Sequence, residues 1–162
     1  MDKPTIDRPT IDRPQDQARV PAQSGPTRPP RILVVDDHPF IRQFSSDILS
    51  RSGYTVDAAN DGAAAWLVLN TNNYDLLITD HYMPRMTGVE LVELVRASRM
   101  PLPVIMVTAQ FPKEEFTRYP WLKPSATLLK PFTTSELLKT VKEVLSTSDG
   151  LVERDPRSTQ MG

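Results

Sequence analysis

Four short apolar runs, each stopping at a polar residue, constrain this chain more than any other feature. Ile32-Leu33-Val34-Val35 stops at Asp36 and Asp37, Leu76-Leu77-Ile78-Thr79 at Asp80, Val104-Ile105-Met106-Val107 at Thr108, and Thr127-Leu128-Leu129 at Lys130. Unbroken runs of Leu and β-branched residues this short suit strands buried on both faces of a parallel sheet. Tyr54-Thr55-Val56 before Asp57 is weaker and more alternating, as an edge strand would be. Helical spacing lies between the runs. Phe40, Ile41, Phe44, Ile48 and Leu49 form one pattern, with Gly53 as its stop. Ala63 to Leu69 forms a second behind Asp61, a good N-cap. Val89 to Val95 and Leu137 to Leu145 form two more. Thr87 and Glu90 are spaced as a capping box for the first of these, Thr133 and Glu136 for the second. The order is βαβαβαβ, an irregular segment, then βα, which predicts an α/β, doubly wound parallel sheet of five strands. The irregular segment, Phe111 to Pro124, holds Pro112, Pro120 and Pro124, so only Lys113 to Tyr119 has room for one or two helical turns.

The alternating pattern occupies residues 31–146. Seven of the 16 prolines lie in residues 1–30, which also carry a tandem Pro-Thr-Ile-Asp-Arg at 4–8 and 9–13. Isolated apolar residues there cannot offset the entropy of ordering, so the segment reads as a disordered, Pro-rich arm. Residues 147–162 read as a flexible tail. At 162 residues the chain suffices for one domain with tails, not two full domains. Lys+Arg at 19 against Asp+Glu at 20 argues against a direct nucleic-acid binder. With Cys at 0, disulfides, thiolate metal sites and cysteine nucleophiles are excluded. No apolar run nears the ~18 residues of a membrane span, and the N-terminus lacks a signal-peptide core; a cytoplasmic setting is expected.

Ligands of doubly wound sheets bind beyond the carboxyl ends of the strands, where Asp36, Asp37, Asp80, Thr108 and Lys130 stand. Three adjacent carboxylates repel one another and need a cation to stay ionised. All-oxygen ligation favours Mg²⁺, and Thr108 and Lys130 can donate to a further anionic oxygen. The set suits a phosphoryl group held between a metal and Lys130. His38 and His81 flank the acidic residues without the paired spacing of zinc ligands; they are expected at the rim, with His81 affecting access to Asp80.

These residues carry a resemblance. Ile32-Leu33-Val34-Val35-Asp36-Asp37, Asp80-His81-Tyr82-Met83-Pro84-Arg85-Met86-Thr87-Gly88, Val107-Thr108-Ala109 and Lys130-Pro131-Phe132 resemble the receiver domain of two-component response regulators. The resemblance spans residues 31–146. It implies a (βα)5 receiver fold with strand order 2-1-3-4-5. It implies Asp80 as the phosphoacceptor, charged by a sensor histidine kinase or a histidine phosphotransfer protein. Mg²⁺ would be ligated by Asp37, Asp80 and the Tyr82 main-chain carbonyl, with Asp36 assisting through water. Thr108 and Lys130 would each hold a phosphoryl oxygen, Tyr82 and Gln110 would border it, and the Lys130-Pro131 bond would be cis.

The chain departs from the family pattern at two places. Thr127 stands where the family usually carries an aromatic ring that moves inward on phosphorylation, and the Phe111–Pro124 segment replaces a regular fourth helix. Trp121 is expected as core filler there. The expected function is a single-domain response regulator, not an enzyme, acting by protein contact with an unidentified downstream protein or by onward phosphotransfer. The alternatives are a Mg²⁺-dependent aspartyl-nucleophile phosphohydrolase and a phosphorylation-independent adaptor. The adjacent Asp36-Asp37 followed by His38 counts against the first, and the complete acidic set with Thr108 and Lys130 against the second.

Overall fold

Strand β1 (Arg31–Val35) places Ile32 and Val34 on one face of a sheet and Leu33 and Val35 on the other, and both faces are buried. The computed structural model describes residues 28–152, with side chains described to residue 148. After β1 come α1 (Pro39–Arg51), β2 (Thr55–Ala59), α2 (Gly62–Thr71), β3 (Leu76–Asp80), α3 (Gly88–Ala97), β4 (Val104–Thr108), α4 (Lys113–Arg118), a 3-10 turn at Pro120–Leu122, β5 (Ala126–Leu129) and α5 (Thr134–Val152). All strand pairs are parallel and the order is β2-β1-β3-β4-β5. This is the expected five-stranded, doubly wound α/β fold.

The continuous apolar runs are needed because helices cover both faces. One core joins Leu33, Val35, Leu77, Val104 and Met106 to Leu91, Val92 and Val95 of α3, and to Phe116 and Leu122 beyond β4. The other joins Ile32, Val34, Ile78, Ile105 and Val107 to Leu49 of α1 and to Leu137, Val141 and Val144 of α5. Each such side chain contributes about 1.5–3 kcal/mol when fully buried. The helix starts follow their caps. Asp61 accepts the Ala64 amide at 2.7 Å, and both capping boxes, Thr87–Glu90 and Thr133–Glu136, close reciprocally. Gly53, at φ 94°, turns the chain out of α1.

Four expectations need correction. Asp57 does not end β2 but lies inside it. There it accepts hydrogen bonds from Arg31 Nε and the Tyr74 hydroxyl, both at 2.8 Å, which an edge strand tolerates. Trp121 is not core filler: it is 53% exposed, while Leu122 and Phe116 fill the space beneath the broken α4 segment. Helix α5 runs to Val152, into the segment read as tail; on the way the Ser146 and Thr147 hydroxyls donate to the Lys142 and Glu143 carbonyls. At the other end, Arg28 pairs with Asp75 at 3.0 Å, so the last residues of the expected arm already engage the domain. Residues 1–27 and the Pro-Thr-Ile-Asp-Arg repeat lie outside the described residues.

Candidate functional site

The ends of β1, β3, β4 and β5 deliver Asp36, Asp37, Asp80, Thr108 and Lys130 to one rim of the sheet. The chain leaves β1 for β2 on one side and returns to β3 on the other, so the rim lies at the switch point where such sheets bind ligands. Carboxylate oxygens of Asp36, Asp37 and Asp80 lie within 4.8 Å of one another, the first and third residues buried and Asp37 exposed. The Lys130 ammonium bridges the buried pair, with Nζ 3.0 Å from Asp36 Oδ2 and 3.3 Å from Asp80 Oδ2. The second oxygens of the pair are fixed by amides: His38 N–H donates to Asp36 Oδ1 and His81 N–H to Asp80 Oδ1, each at 2.8 Å. The Lys130-Pro131 bond is cis.

Burial pushes the Asp80 carboxyl above its ordinary range; the Lys130 ammonium pulls it back and the charge of Asp36 pushes it up again. The charge of Asp80 is thus undercompensated, and a cation at the rim would supply what is missing. The donor set is all oxygen, anionic and clustered, which fits a hard divalent ion such as Mg²⁺. Among the described residues the Tyr82 main-chain carbonyl accepts no hydrogen bond, so it is available as a further oxygen donor.

Thr108 is fully buried, and its hydroxyl donates to the Gln110 carbonyl at 2.8 Å. Contact with a bound anion would exchange that bond for another. Tyr82 and Gln110 are exposed beside the rim, as is His38, whereas His81 is buried. It is 3% exposed, with Nε2 3.5 Å from Glu115 Oε2 of α4 and its ring 4.3 Å from that of Tyr82. Its Nδ1 is buried without a partner.

The β3–α3 loop, which carries Tyr82, is fixed at its end by Gly88. The Gly88 amide donates to the His81 carbonyl at 2.8 Å, and a Cβ at Gly88 would collide with the Asp80 carbonyl. Sequence reasoning missed one contact of this loop, an ion pair between Arg85 and Asp61. Asp61 was legible only as a helix cap, and no local pattern links two residues 24 apart.

Fold and rim together define a doubly wound α/β domain with one carboxylate, hydroxyl and lysine site at its switch point. A family model for the response regulator receiver domain matches residues 32–142. The chemotaxis protein CheY of Pseudomonas aeruginosa is 34% identical over 123 residues, covering 74% of this chain and 99% of its own length. The solved structure of the chemotaxis protein CheY4 of Vibrio cholerae superposes with a TM-score of 0.67 at 34% identity, covering 72% of this chain and 98% of the other. The response regulator TrrA of Thermotoga maritima, solved in complex with Mg²⁺-BeF, superposes with a TM-score of 0.62 at 32% identity, covering 71% and 98%. The chain belongs to the response regulator receiver domain family of two-component signalling. It carries a signalling domain of a family that works with histidine kinases or phosphotransfer proteins and binds Mg²⁺ at its acidic pocket. Among the described residues, no helix is long and apolar enough to cross a membrane.

Proposed function

We propose that Asp80 accepts a phosphoryl group from a phosphohistidine, with Asp37, Asp80 and the Tyr82 carbonyl holding Mg²⁺, Asp36 assisting through water, and Thr108 and Lys130 holding phosphoryl oxygens. The observation that carries this reading is the Lys130 ammonium bridging Asp36 and Asp80 inside a three-carboxylate cluster. A carboxylate oxygen of Asp80 attacks phosphorus in line, the P–N bond to the donor imidazole breaks, and an aspartyl phosphate forms. No general base is required, because Asp80 attacks as a carboxylate. Bound Mg²⁺ supplies charge neutralisation to the carboxylates and the phosphoryl oxygens facing them. Lys130 then turns from its ion pair toward a phosphoryl oxygen, and Thr108 releases Gln110 to donate to another. Water hydrolyses the acyl phosphate and ends the signal.

The donor is a sensor histidine kinase or histidine phosphotransfer protein; both depend on ATP-derived phosphate, which makes the cytoplasm the proposed setting. Output passes by contact with a downstream protein or by onward phosphotransfer. Phosphoramidate labelling with and without Mg²⁺ tests the reading. Mg²⁺-dependent incorporation supports it, equal absence of label in both identifies a phosphorylation-independent adaptor, and multiple turnover of a phosphate ester identifies a hydrolase.

A further inference from the structure

We infer that Asp61 and Arg85 form a clamp that positions the β3–α3 loop, and with it the Tyr82 carbonyl, for the divalent cation. The inference rests on the proposed reading of Tyr82 as a metal ligand.

The loop's ends are fixed without the clamp. At the start, the His81 amide is bonded to Asp80, and at the finish the Gly88 amide is bonded to the His81 carbonyl and Thr87 caps α3. Between them Tyr82, Pro84 and Arg85 are exposed while Met83 is buried in the core, and a Met86-to-Pro84 backbone bond at 2.8 Å ties the turn to itself. Arg85 sits at φ 67°, a left-handed conformation that L residues rarely adopt. Such a conformation persists where the surroundings over-determine it. Two contacts do so here, both to the start of α2. The Arg85 guanidinium pairs with Asp61, and Met86 lies against Gly62 so closely that a Cβ there would come within 2.9 Å of Met86 Cβ.

Asp61 is built as a fixed anchor. Its side chain is 8% exposed and one oxygen is committed to the Ala64 amide. That amide and the Arg85 guanidinium hold its carboxyl below the usual range, so it is charged at neutral pH. Mg²⁺ demands near-octahedral geometry at short distances. A carbonyl on a loosely held turn would have to be ordered as the ion binds, and the clamp does that ordering in advance.

Calorimetric titration of Mg²⁺ alone into the unphosphorylated full chain tests this. Asn tolerates a left-handed backbone, so Arg85→Asn removes the clamp without adding glycine flexibility. Arg85 is 66% exposed, so the variant should still fold and lose no more than about 5 °C of Tm. Mg²⁺ binding should weaken by roughly two- to fivefold, exchange of the 81–87 amides should quicken without metal, and Arg85→Lys should recover part of the affinity. A merely electrostatic role has the opposite sign: deleting a cation near three carboxylates tightens Mg²⁺ binding. Unchanged or tighter binding by Arg85→Asn, or equal weakening in Arg85→Lys and Arg85→Asn, would overturn the clamp. Absence of Mg²⁺ binding in the wild type would instead overturn the metal reading.

Discussion

Asp80→Asn should stabilise the protein when no divalent cation is present. The wild-type carboxyl is buried, shares one ammonium with Asp36, and is held above its ordinary range. A raised native pKa means that the folded state binds the Asp80 proton more tightly than the unfolded chain. Stability therefore falls as pH rises from the unfolded value of 3.8 through the raised native one, and the full cost stands above both. Asparagine keeps an oxygen for the His81 amide, removes the charge and loses the 3.3 Å contact with Lys130. Burial outweighs that contact in setting the direction of the shift, so the net gain should be of order 1 kcal/mol. In a domain of this size that raises Tm by about 3–6 °C. Differential scanning calorimetry at pH 7 with chelator checks it. The difference between the two proteins should shrink on acidification and vanish below 3.8, where Asp80 is neutral in both states. Mg²⁺ at tenfold over its Kd should stabilise the wild type by about 1.4 kcal/mol and the variant by less, closing or inverting the gap. A lower Tm for Asp80→Asn in chelator would refute the reasoning, because it would show that the Lys130 pairing more than compensates the buried charge.

Gly88→Ala drives a methyl group into the Asp80 carbonyl and should cost at least about 3 kcal/mol, read as a lowered denaturant midpoint. Tyr74, half-buried beside Asp57, has its phenol pushed up to about 12 by burial and by the hydrogen bond and charge of Asp57; in ultraviolet titration Asp57→Asn should move a late tyrosine transition down, and an unchanged curve would contradict the pairing. Phosphorylation must act through contacts that differ between states. Beryllofluoride with Mg²⁺ should change hydrogen exchange most within residues 108–124, where Thr108 lets go of Gln110 and Glu115 meets His81; a dominant change in α5 with a silent 108–124 would contradict this.

How far the sequence spoke for the structure depended on the range of the interaction. Apolar runs such as Val104 to Val107 declare a strand covered on both faces, and the polar residue that ends each run declares the rim, since both signals are contiguous. The capping boxes are equally local. Trp121 was misplaced because the broken α4 segment has no periodicity to say which aromatic turns inward; Leu122 and Phe116 did. The burial of His81 was not legible because it involves Glu115 of α4, an element far along the chain whose position no local pattern encodes. The Asp61–Arg85 pair failed for the same reason. Asp57 looked like a strand end because a carboxylate is unfavourable mid-strand, yet Arg31 and Tyr74, from two other parts of the chain, neutralise and bond it there.

Locating the phosphoryl group tests Asp80 as the phosphoacceptor. Wild-type and Asp80→Asn proteins are incubated with phosphoramidate and Mg²⁺ and read by intact-mass and peptide mass spectrometry. One phosphoryl group per wild-type chain is expected, on the peptide containing Asp80, and none on Asp80→Asn. Labelling of Asp80→Asn at full stoichiometry would contradict it.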